Sequence, residues 1–354
     1  MSRSSPAGEP PTAPPLCVGA GRAVVTGGAG FIGSHLVEHL LDEGFAVVVV
    51  DDLSTGCLDN LRSVRDHDRL EVVVASVGDE RVARAAFAEA DVVFHLAGAV
   101  GVQRLARAPL EVMQANLRAS EVALEVAADL RVPVLFTSSS EVYGEGAVPF
   151  FEHAAVMPGA TEGLRGGYAC AKAMSEWLAC AQAQRAGLPV VVARLFNTVG
   201  PRQRGDYGMV LPRLVRQALQ GEPLTVYGSG QQTRCFAHVQ DVARALADLA
   251  RSRSLPGRVV NVGSAVETPV AELAALVVAV TGSRAPIQRV PYEQVFPEGF
   301  ADPPRRVPAL DRLFAANGWV PTAPLRSVVE DVVAYERAAT GSPGAVIPAA
   351  SPAS

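Results

Sequence analysis

Lysine is nearly missing from this chain of 354 residues. Of its 31 basic residues, every one except Lys172 is an arginine. A sequence that has replaced all its other lysines but keeps this one indicates chemistry that requires an amine there. A large net charge is also missing, because the formal charge is -5 and the isoelectric point is about 5.8. This balance offers no basic surface, so neither nucleic acid nor an anionic membrane is an expected partner.

Cysteine is scarce, and long apolar runs are absent. The five cysteines show no metal-ligand spacing: Cys17, Cys57, Cys170, Cys180 and Cys235. They predict reduced thiols in a cytoplasmic protein and no metal site. No window of about 18 apolar residues is present, so no membrane-spanning helix is expected. Residues 1–21 and 338–354 are rich in Pro, Gly, Ala and Ser. We expect a disordered lead-in, not a signal peptide, and a disordered tail.

What the chain does contain, near its start, is a complete strand, glycine turn, helix and second strand. The apolar residues 23–25 predict a buried strand, and the turn that follows fits Gly28-x-Gly30-x-x-Gly33 as well as Gly27-x-x-Gly30-x-x-Gly33. The next helix would present its free N–H groups to a pyrophosphate. Asp51 and Asp52 end the second strand about 20 residues on, where a carboxylate can hold the adenosine ribose and repel a 2′-phosphate. The sequence therefore predicts NAD as cofactor.

Strands and helices alternate through the next part of the chain. Buried strands are predicted at 70–74, 91–96, 133–137 and 190–194, and helices at 79–88, 109–127 and 168–185. This cadence predicts an α/β fold, a Rossmann-type doubly wound parallel sheet, whose ligands lie at the carboxyl ends of the strands. We expect an NAD-binding domain of residues 22–196, completed by 236–263. A smaller C-terminal α/β substrate domain would comprise 197–235 and 264–337.

Four residues are the candidates for acid–base chemistry. Tyr168 and Lys172 lie four residues apart, on one face of a predicted helix, and the ammonium would lower the phenol pKa and make the tyrosine a usable base. A chance spacing is the alternative, but it is improbable with a single lysine. Ser139, at a strand end, can bridge a substrate oxygen and the tyrosine, or only form a turn. Glu141 can steer a proton on a substrate carbon, or be a solvated loop acid.

Seven arginines are candidate anion clamps, because a guanidinium grips phosphate or carboxylate with two hydrogen bonds: Arg194, Arg202, Arg204, Arg213, Arg234, Arg305 and Arg306. Most are expected to lie on the surface. Among the histidines, His95 ends a buried strand and is expected to have a core role. His238 shows no evident partner in the sequence.

Taken together, these motifs resemble the extended short-chain dehydrogenase/reductase family that acts on nucleotide sugars. The resemblance covers residues 22–337 and is carried by TGGAGFIG (26–33), DDLS (51–54), HLAG (95–98), the Tyr168/Lys172 pair, RLFN (194–197) and GSGQQTRCF (228–236). The segments SSSEVYG, RLFNTVGPR and GEPLTVYGSGQQTR most resemble UDP-glucuronate decarboxylases, also called UDP-xylose synthases. Sugar 4,6-dehydratases carry an Asp where this chain has Ser140, and many 4-epimerases lack the glutamate.

The resemblance implies a function and a substrate. The function is NAD-dependent decarboxylation of UDP-glucuronate through a C4-keto sugar, giving UDP-xylose or UDP-4-keto-xylose. The alternative is 4-epimerisation of UDP-glucuronate or UDP-glucose, and a remote one is a non-catalytic NAD-binding protein. A homodimer formed through the helices at 109–127 and 168–185 is also implied.

The resemblance further implies the residues of the site. Cofactor contacts fall to Gly27, Gly30, Phe31, Ile32, Gly33, Asp51, Asp52, Ser54, Thr55, Leu96, Ala97, Gly98, Asn116, Ser138, Tyr168 and Lys172. Substrate contacts fall to Glu141, Asn197, Val210, Arg213, Thr225, Tyr227, Arg234 and Arg306, with Arg306 on the diphosphate. Three residues depart from the family pattern: Ser76 replaces an Asp that touches adenine, Gly98 a common Ala, and Ala309 a common Asp.

Overall fold

Strands and helices alternate along the chain in this computed structural model. It describes residues 15–99, 108–157, 159, 164–205, 208–252, 255, 258–295 and 303–341. The strands are β1 (Arg22–Thr26), β2 (Ala46–Asp51), β3 (Leu70–Val74), β4 (Val92–His95), β5 (Val134–Ser139), β6 (Val190–Leu195), β7 (Thr198–Val199), β8 (Leu224–Tyr227), β9 (Thr233–Cys235), β10 (Ala237–His238), β11 (Arg258–Val262), β12 (Glu267–Pro269) and β13 (Ile287–Val290). The helices are α1 (Phe31–Asp42), α2 (Glu80–Phe87), α3 (Pro109–Leu130), α4 (Leu164–Ala186), α5 (Val210–Gln220), α6 (Val239–Arg251), α7 (Val270–Thr281), α8 (Asp311–Asn317) and α9 (Leu325–Gly341).

A parallel sheet in the order β3-β2-β1-β4-β5-β6-β11 forms the centre of the described part of the protein. Runs of valine favour these strands, because β-branched side chains pack well on a pleated surface that is covered on both faces. In register, Thr26 lies beside Val50 of β2 on one side and His95 of β4 on the other. The strand order reverses at β1, and ligands of such sheets bind at the carboxyl ends beside this point. The predicted doubly wound parallel sheet is confirmed.

Helices cover both faces of the sheet. Successive strand residues point to opposite faces, so Val25 packs with α1 and α6, whereas Val24 packs with α2, α3 and α4. A further apolar cluster joins α5, α7 and α9 to β8. Beside this cluster, β8 pairs with β13 and β9 pairs with β12, while β11 returns to the central sheet beside β6. No helix in the described residues combines the length and the apolar composition needed to cross a membrane.

Some boundaries and one burial prediction differ from the structure. The strand at 70–74 is present, but it is the edge of the sheet, and Val72 and Val74 are 38% and 56% exposed. An apolar run cannot reveal that a strand has only one neighbour. Helix α4 begins before the predicted position 168.

The two predicted disordered ends fall only partly on described residues. Leu16 and Cys17 are buried against the core, which conflicts with a disordered lead-in reaching residue 21. Helix α9 continues past 337 to Gly341, into the predicted tail. Positions 1–14 and 342–354 lie outside the described residues, so the rest of the lead-in and of the tail stays a prediction.

Candidate active site

A cleft of about 740 Å³ lies at the carboxyl ends of the central strands. The predicted site residues meet there from many parts of the chain. The cleft is lined by Gly27, Gly30, Phe31, Ile32, Gly33, Asp51, Asp52, Ser54, Thr55, Leu96, Ala97, Gly98, Ser138, Ser139, Glu141, Tyr168, Lys172, Asn197, Val210, Arg213, Tyr227, Arg234 and Arg306. Of the predicted site residues, only Asn116 and Thr225 do not line it.

The glycine turn brings bare backbone to the floor of the cleft. Gly27 has a φ of +72°, and a Cβ there would lie 2.8 Å from the Ala97 nitrogen. A Cβ on Gly33 would collide with the Gly27 carbonyl oxygen. Glycine is therefore required for the turn and for the close packing of α1 on it, and the start of α1 presents free N–H groups to the cleft. This cradle fits a pyrophosphate.

Asp51 serves the glycine turn as well as the cleft. Its Oδ2 accepts a hydrogen bond from the Ala29 nitrogen at 2.9 Å, and its Oδ1 accepts one from the Leu53 nitrogen at 2.9 Å. Burial raises the pKa of Asp51 above its usual value, and the backbone hydrogen bonds oppose that rise. Asp52 is exposed and accepts a hydrogen bond from the Ser54 nitrogen. The contact of either carboxylate with a ribose stays a prediction.

Two buried polar atoms point to a ligand in the cleft. Ser138 Oγ and Asn197 Nδ2 have no protein hydrogen-bond partner among the described residues. Buried polar groups in proteins are almost always hydrogen-bonded, so each of these atoms is suited to meet a bound molecule. Together with the glycine turn they show that the residues present fit a dinucleotide and a polar substrate.

Tyr168, Lys172 and Ser139 meet where α4 crosses the end of β5. Burial and the nearby Glu141 carboxylate raise the pKa of Tyr168 well above its usual value, and a hydrogen bond with Ser139 opposes them. Lys172 donates from Nζ to the Thr137 carbonyl oxygen at 3.2 Å, and burial lowers its pKa to about 8. The expected lowering of the tyrosine pKa is thus wrong, because burial penalises the phenolate. Lys172 remains the cation one helical turn away that can stabilise it.

Glu141 and Arg306 form a two-pronged ion pair in the wall of the cleft. Arg306 donates from Nη1 and Nη2 to the two carboxylate oxygens at 2.6 and 2.9 Å, and its side chain is only 4% exposed. Glu141 lies in a 3₁₀ turn at Ser140–Tyr143. Its backbone nitrogen donates a hydrogen bond to Ser139 Oγ, which caps the start of this turn. The Arg306 guanidinium is directed to Glu141, and its implied contact with a diphosphate stays a prediction.

The far end of the cleft carries Arg213 and two tyrosines. Arg213 donates to the Thr225 carbonyl oxygen at 2.7 Å, and its guanidinium carbon lies 4.1 Å from the centre of the Tyr227 ring. Thr225 thus supports Arg213 from behind and does not face the cleft. Gln232 donates to the Tyr227 carbonyl oxygen at 2.9 Å and to Tyr292 Oη at 3.0 Å. Gln232 and Tyr292 also line the cleft, but the sequence did not indicate them as site residues. Tyr292 lies in no motif, and Gln232 lies in the GSGQQTRCF motif without a role that its residue type alone would suggest.

Asn116 also lies behind the cleft. It is buried, and its Nδ2 donates to the carbonyl oxygens of Ala99 and Val112 at 2.9 and 2.7 Å. A Cβ on Gly98 would lie 2.8 Å from Asn116 Oδ1 and 3.3 Å from Lys172 Nζ. The departure at residue 98 therefore has a structural reason, because glycine allows this close approach. At the other departures, Ser76 lines the cleft and accepts a hydrogen bond from the Gly78 nitrogen, and Ala309 is buried.

Most of the remaining candidate clamps are engaged elsewhere. The buried Arg194 pairs with Glu176 at 2.6 Å, Arg202 pairs with Glu38 at 2.6 Å, and Arg305 pairs with Glu267. None of these three, nor Arg204, lines the cleft. The three ion pairs join segments that are distant in the sequence, and sequence alone cannot show which acid an arginine will meet.

The two histidines have structural roles. His95 is fully buried, with Nδ1 2.9 Å from Thr26 Oγ1 and its ring stacked on Phe136, and burial lowers its pKa to about 3. The expected core role fits these contacts. The prediction that His238 has no partner is wrong, because its Nδ1 accepts a hydrogen bond from the Gln240 nitrogen and its Nε2 lies 3.3 Å from Asp331 Oδ2. In the described residues, no cluster of His, Cys, Asp and Glu could hold a metal ion.

Comparison with known proteins agrees with this geometry. The NAD dependent epimerase/dehydratase family matches residues 23–263. The UDP-N-acetyl-alpha-D-glucosaminuronate decarboxylase of Bacillus cytotoxicus is 38% identical over 297 residues, which cover 82% of this chain and 90% of that protein. The UDP-glucuronic acid decarboxylase 1 of Danio rerio is 33% identical, with 89% and 72% covered. The UDP-glucose 4-epimerase of Thermus thermophilus, solved in complex with NAD, superposes with a TM-score of 0.78 at 29% identity, covering 89% of this chain and 99% of that one.

The family match extends over more than half of the chain and includes the glycine turn, Tyr168, Lys172 and Glu141. The similarity to the curated relatives extends over most of the chain. This protein is an enzyme with NAD as its cofactor, and it belongs to the NAD dependent epimerase/dehydratase family.

Proposed function

We propose that this enzyme decarboxylates UDP-glucuronate through a C4-keto sugar, giving UDP-xylose or UDP-4-keto-xylose. The observation that carries the proposal is the position of Glu141. Its carboxylate lies in the same cleft as Tyr168, close enough to raise the tyrosine pKa, and it is held by Arg306. Relatives named as UDP-glucuronic acid decarboxylases, from Danio rerio and other organisms, support the same reaction.

The chain supplies proton handling and orientation for this reaction. NAD held by the glycine turn and Asp51 would supply a hydride acceptor for C4 of the sugar, and a ketone at C4 would make the C5 carboxylate a β-keto acid. Tyr168 accepts the O4 proton, with Ser139 bridging and Lys172 stabilising the phenolate. The C5–carboxylate bond then breaks, CO2 leaves, and its electron pair remains on C5 as an enolate. Glu141, held by Arg306, orients the sugar ring or transfers the proton that returns to C5, so that C5 gains one proton in place of the carboxylate that leaves as CO2.

Asn197 and Arg234 are proposed to meet the diphosphate or the sugar acid. Arg234 is buried, donates from Nη1 to the Thr233 carbonyl oxygen at 2.7 Å, and lines the cleft. Tyr227, together with Val210 and Arg213, is proposed to contact the uracil and ribose. Burial lowers the pKa of Arg213, but an arginine starts so high that it stays charged at neutral pH.

A second candidate substrate is UDP-N-acetylglucosaminuronate. The observation that favours it is the 38% identity to a decarboxylase named for that sugar. The reaction and the residue roles would be the same, because the acetamido group at C2 takes no part in bond breaking at C5. The 4-epimerase reading also stays open, since an epimerase shares this fold at 29% identity. The intact Tyr168 and Lys172 disfavour a non-catalytic NAD-binding protein.

The test is to incubate the purified enzyme with NAD⁺ and, separately, with each of the two UDP-uronates and UDP-glucose. Sugar nucleotides are followed by mass spectrometry and proton NMR. Loss of CO2 from UDP-glucuronate, giving a pentose or 4-keto-pentose nucleotide, is the expected result. Loss of CO2 from the acetamido sugar alone would support the second candidate. Unchanged mass with an inverted C4 centre would contradict decarboxylation and identify an epimerase.

A homodimer and a cytoplasmic location are also proposed. Helices α3 and α4 pack side by side, and they expose Leu110, Met174 and Trp177, the last to 61%. Such a group of large apolar side chains on two adjacent helices suits burial against a second copy. All five cysteines are free, in keeping with a reducing compartment.

Light scattering on the wild type should give twice the mass of 36.9 kDa, and Trp177→Arg should give the monomer. A monomeric wild type would contradict the dimer.

A further inference from the structure

The ion pair between Glu141 and Arg306 joins two segments that lie 165 residues apart. Neither segment is part of a strand in the central sheet at these residues, because Glu141 lies in a 3₁₀ turn and Arg306 in a segment after β13 that has no regular secondary structure. Something else must therefore hold the carboxylate and the guanidinium at a distance that suits two hydrogen bonds. The surrounding contacts identify a buried side chain that does so without reaching the cleft.

Asn261, in β11, is that side chain. It is completely buried and does not line the cleft. Its Nδ2 donates to the carbonyl oxygens of Phe150 and Ala309 at 2.8 and 3.1 Å, and its Oδ1 accepts from Tyr143 Oη at 2.7 Å. The two carbonyls and the one hydroxyl determine the orientation of the amide, because each of its atoms meets a group of the opposite kind.

These three partners flank the ion pair on both of its sides. Tyr143 is two residues beyond Glu141 and ends the same 3₁₀ turn. Ala309 is three residues beyond Arg306, and its segment pairs with Phe150 through hydrogen bonds from Phe150 N to Val307 O at 2.7 Å and from Ala309 N to Phe150 O at 2.9 Å. One side chain thus bonds to the Glu141 segment, to the Arg306 segment and to the residue that bridges them.

The aromatic packing makes this arrangement rigid. The Tyr143 ring stacks on Phe150 with centroids 4.7 Å apart and planes 2° from parallel, and the Arg194 guanidinium carbon lies 4.6 Å from the centre of the Tyr143 ring. The Asn261 backbone nitrogen donates to Glu152 Oε1 at 3.1 Å, which secures the residues after Phe150. Asn261 itself is fixed by β11, which is in register with β6.

We propose that Asn261 is a positioning residue, which uses its hydrogen bonds to Tyr143, Phe150 and Ala309 to set the spacing of Glu141 and Arg306 in the cleft. The inference rests on the proposed function only for its catalytic readout. It assigns a role to a residue that contacts neither cofactor nor substrate. It also predicts that weakening these three hydrogen bonds lowers kcat more than it lowers the affinity for the substrate.

Tyr143→Phe is the variant that tests this positioning role of Asn261. Replacing Asn261 itself would strip three buried groups of a partner and unfold the protein, whereas Tyr143→Phe removes one hydroxyl, which hydrogen-bonds to Asn261 and Arg194, and keeps the ring contacts. Tyr335→Phe, on α9 and away from the cleft, is the matched control. We expect kcat for CO2 release from UDP-glucuronate to fall at least fivefold in Tyr143→Phe, with KM and the Kd for UDP within twofold of wild type. Unchanged kcat, or UDP affinity lost in the same proportion, would overturn the proposal.

A double-mutant cycle separates positioning from general destabilisation. In a Glu141→Gln background there is no ion pair left to position, so adding Tyr143→Phe should lower kcat by less than a further twofold. Losses that multiply would show that the tyrosine hydroxyl acts independently of Glu141, and the proposal would fall.

A readout without turnover keeps the proposal separate from the proposed function. If wild type releases no CO2 from UDP-glucuronate, the proposed function fails. Hydrogen–deuterium exchange then tests independently whether Asn261 positions the two segments. Tyr143→Phe should raise exchange in peptides covering 142–151 and 304–310 together, and Tyr335→Phe should raise it in neither. A rise confined to one of these segments, or absent from both, would overturn the inference.

Discussion

The cofactor end and the substrate end of the cleft are built in different ways. The cofactor end uses contiguous motifs at strand ends, such as the glycine turn after β1 and the aspartates that end β2. The substrate end collects Glu141, Arg213, Arg234 and Arg306 from separate segments and holds them by long-range contacts. The proposed pyrophosphate and ribose contacts therefore come from local motifs, whereas the proposed substrate contacts depend on how distant segments meet. Substitutions at the two ends can test this difference, and they follow in order of decreasing effect.

Tyr168→Phe should have the largest effect, because it removes the proposed acid–base group while leaving the glycine turn intact. We expect kcat to fall by about 10²–10⁴-fold, with NAD affinity close to that of wild type. Activity is measured by product formation, and NAD binding by calorimetry. Near-normal turnover in a variant that still binds NAD would refute the assignment of Tyr168.

Glu141→Gln tests the substrate end. The neutral amide cannot pair with the buried Arg306 guanidinium as a carboxylate does, and it cannot manage a proton at C5, so kcat should fall about 10–100-fold. Glu145→Gln, an exposed change four residues away in the same loop, is the matched control. Equal activity of the two variants would contradict a role for the Glu141 carboxylate. NAD affinity should change in neither variant, because the two ends are built separately.

Lys172→Arg tests the pH dependence of the cofactor end. Burial lowers the Lys172 pKa to about 8, so the ammonium loses its proton as the pH rises through that value, and kcat should fall above it. Arginine stays charged in this range, and the fall should therefore move to higher pH in the variant even if its maximal rate is lower. Full pH profiles of kcat between about pH 6 and 10 check this. An unmoved alkaline limb would show that another group sets it.

Gly98→Ala should have the smallest effect. A Cβ at this position would lie 2.8 Å from Asn116 Oδ1 and 3.3 Å from Lys172 Nζ. The neighbours must move by a few tenths of an ångström, so we expect a two- to fivefold fall in kcat, or about 0.4–1 kcal/mol. The companion variant Gly98→Ala with Asn116→Ser should recover part of the loss, because it shortens the obstructing side chain. Full activity of Gly98→Ala would show that the glycine is not required for this approach.

Much of the fold could be predicted because its signals are local. Alternation of apolar strands and amphipathic helices identified the parallel sheet, and the glycine spacing identified the turn that lines the cleft. The exposed edge at Val72 and Val74 and the burial of Leu16 and Cys17 could not be predicted. Both depend on which element lies alongside, and composition carries no information about that.

The site shows the same limit. The single lysine, four residues after Tyr168, is enough by itself to indicate the chemistry of this pair. The direction of the Tyr168 pKa and the places of Asn116 and Thr225 outside the cleft lining could not be predicted, because burial and neighbours across the chain decide them. Gln232 and Tyr292 were missed for the same reason.

Residue types and short spacings determined the features that depend only on nearby residues. These are the positions of strands and helices, the positions that require glycine, and the side chains that can move a proton. The tertiary structure alone settles which of the seven candidate arginines reach the cleft, and that Arg306 meets Glu141 while Arg194 meets Glu176. The physical reason is that an ion pair or a hydrogen bond depends on position in space and on burial. Both come from the packing of segments that the sequence keeps far apart.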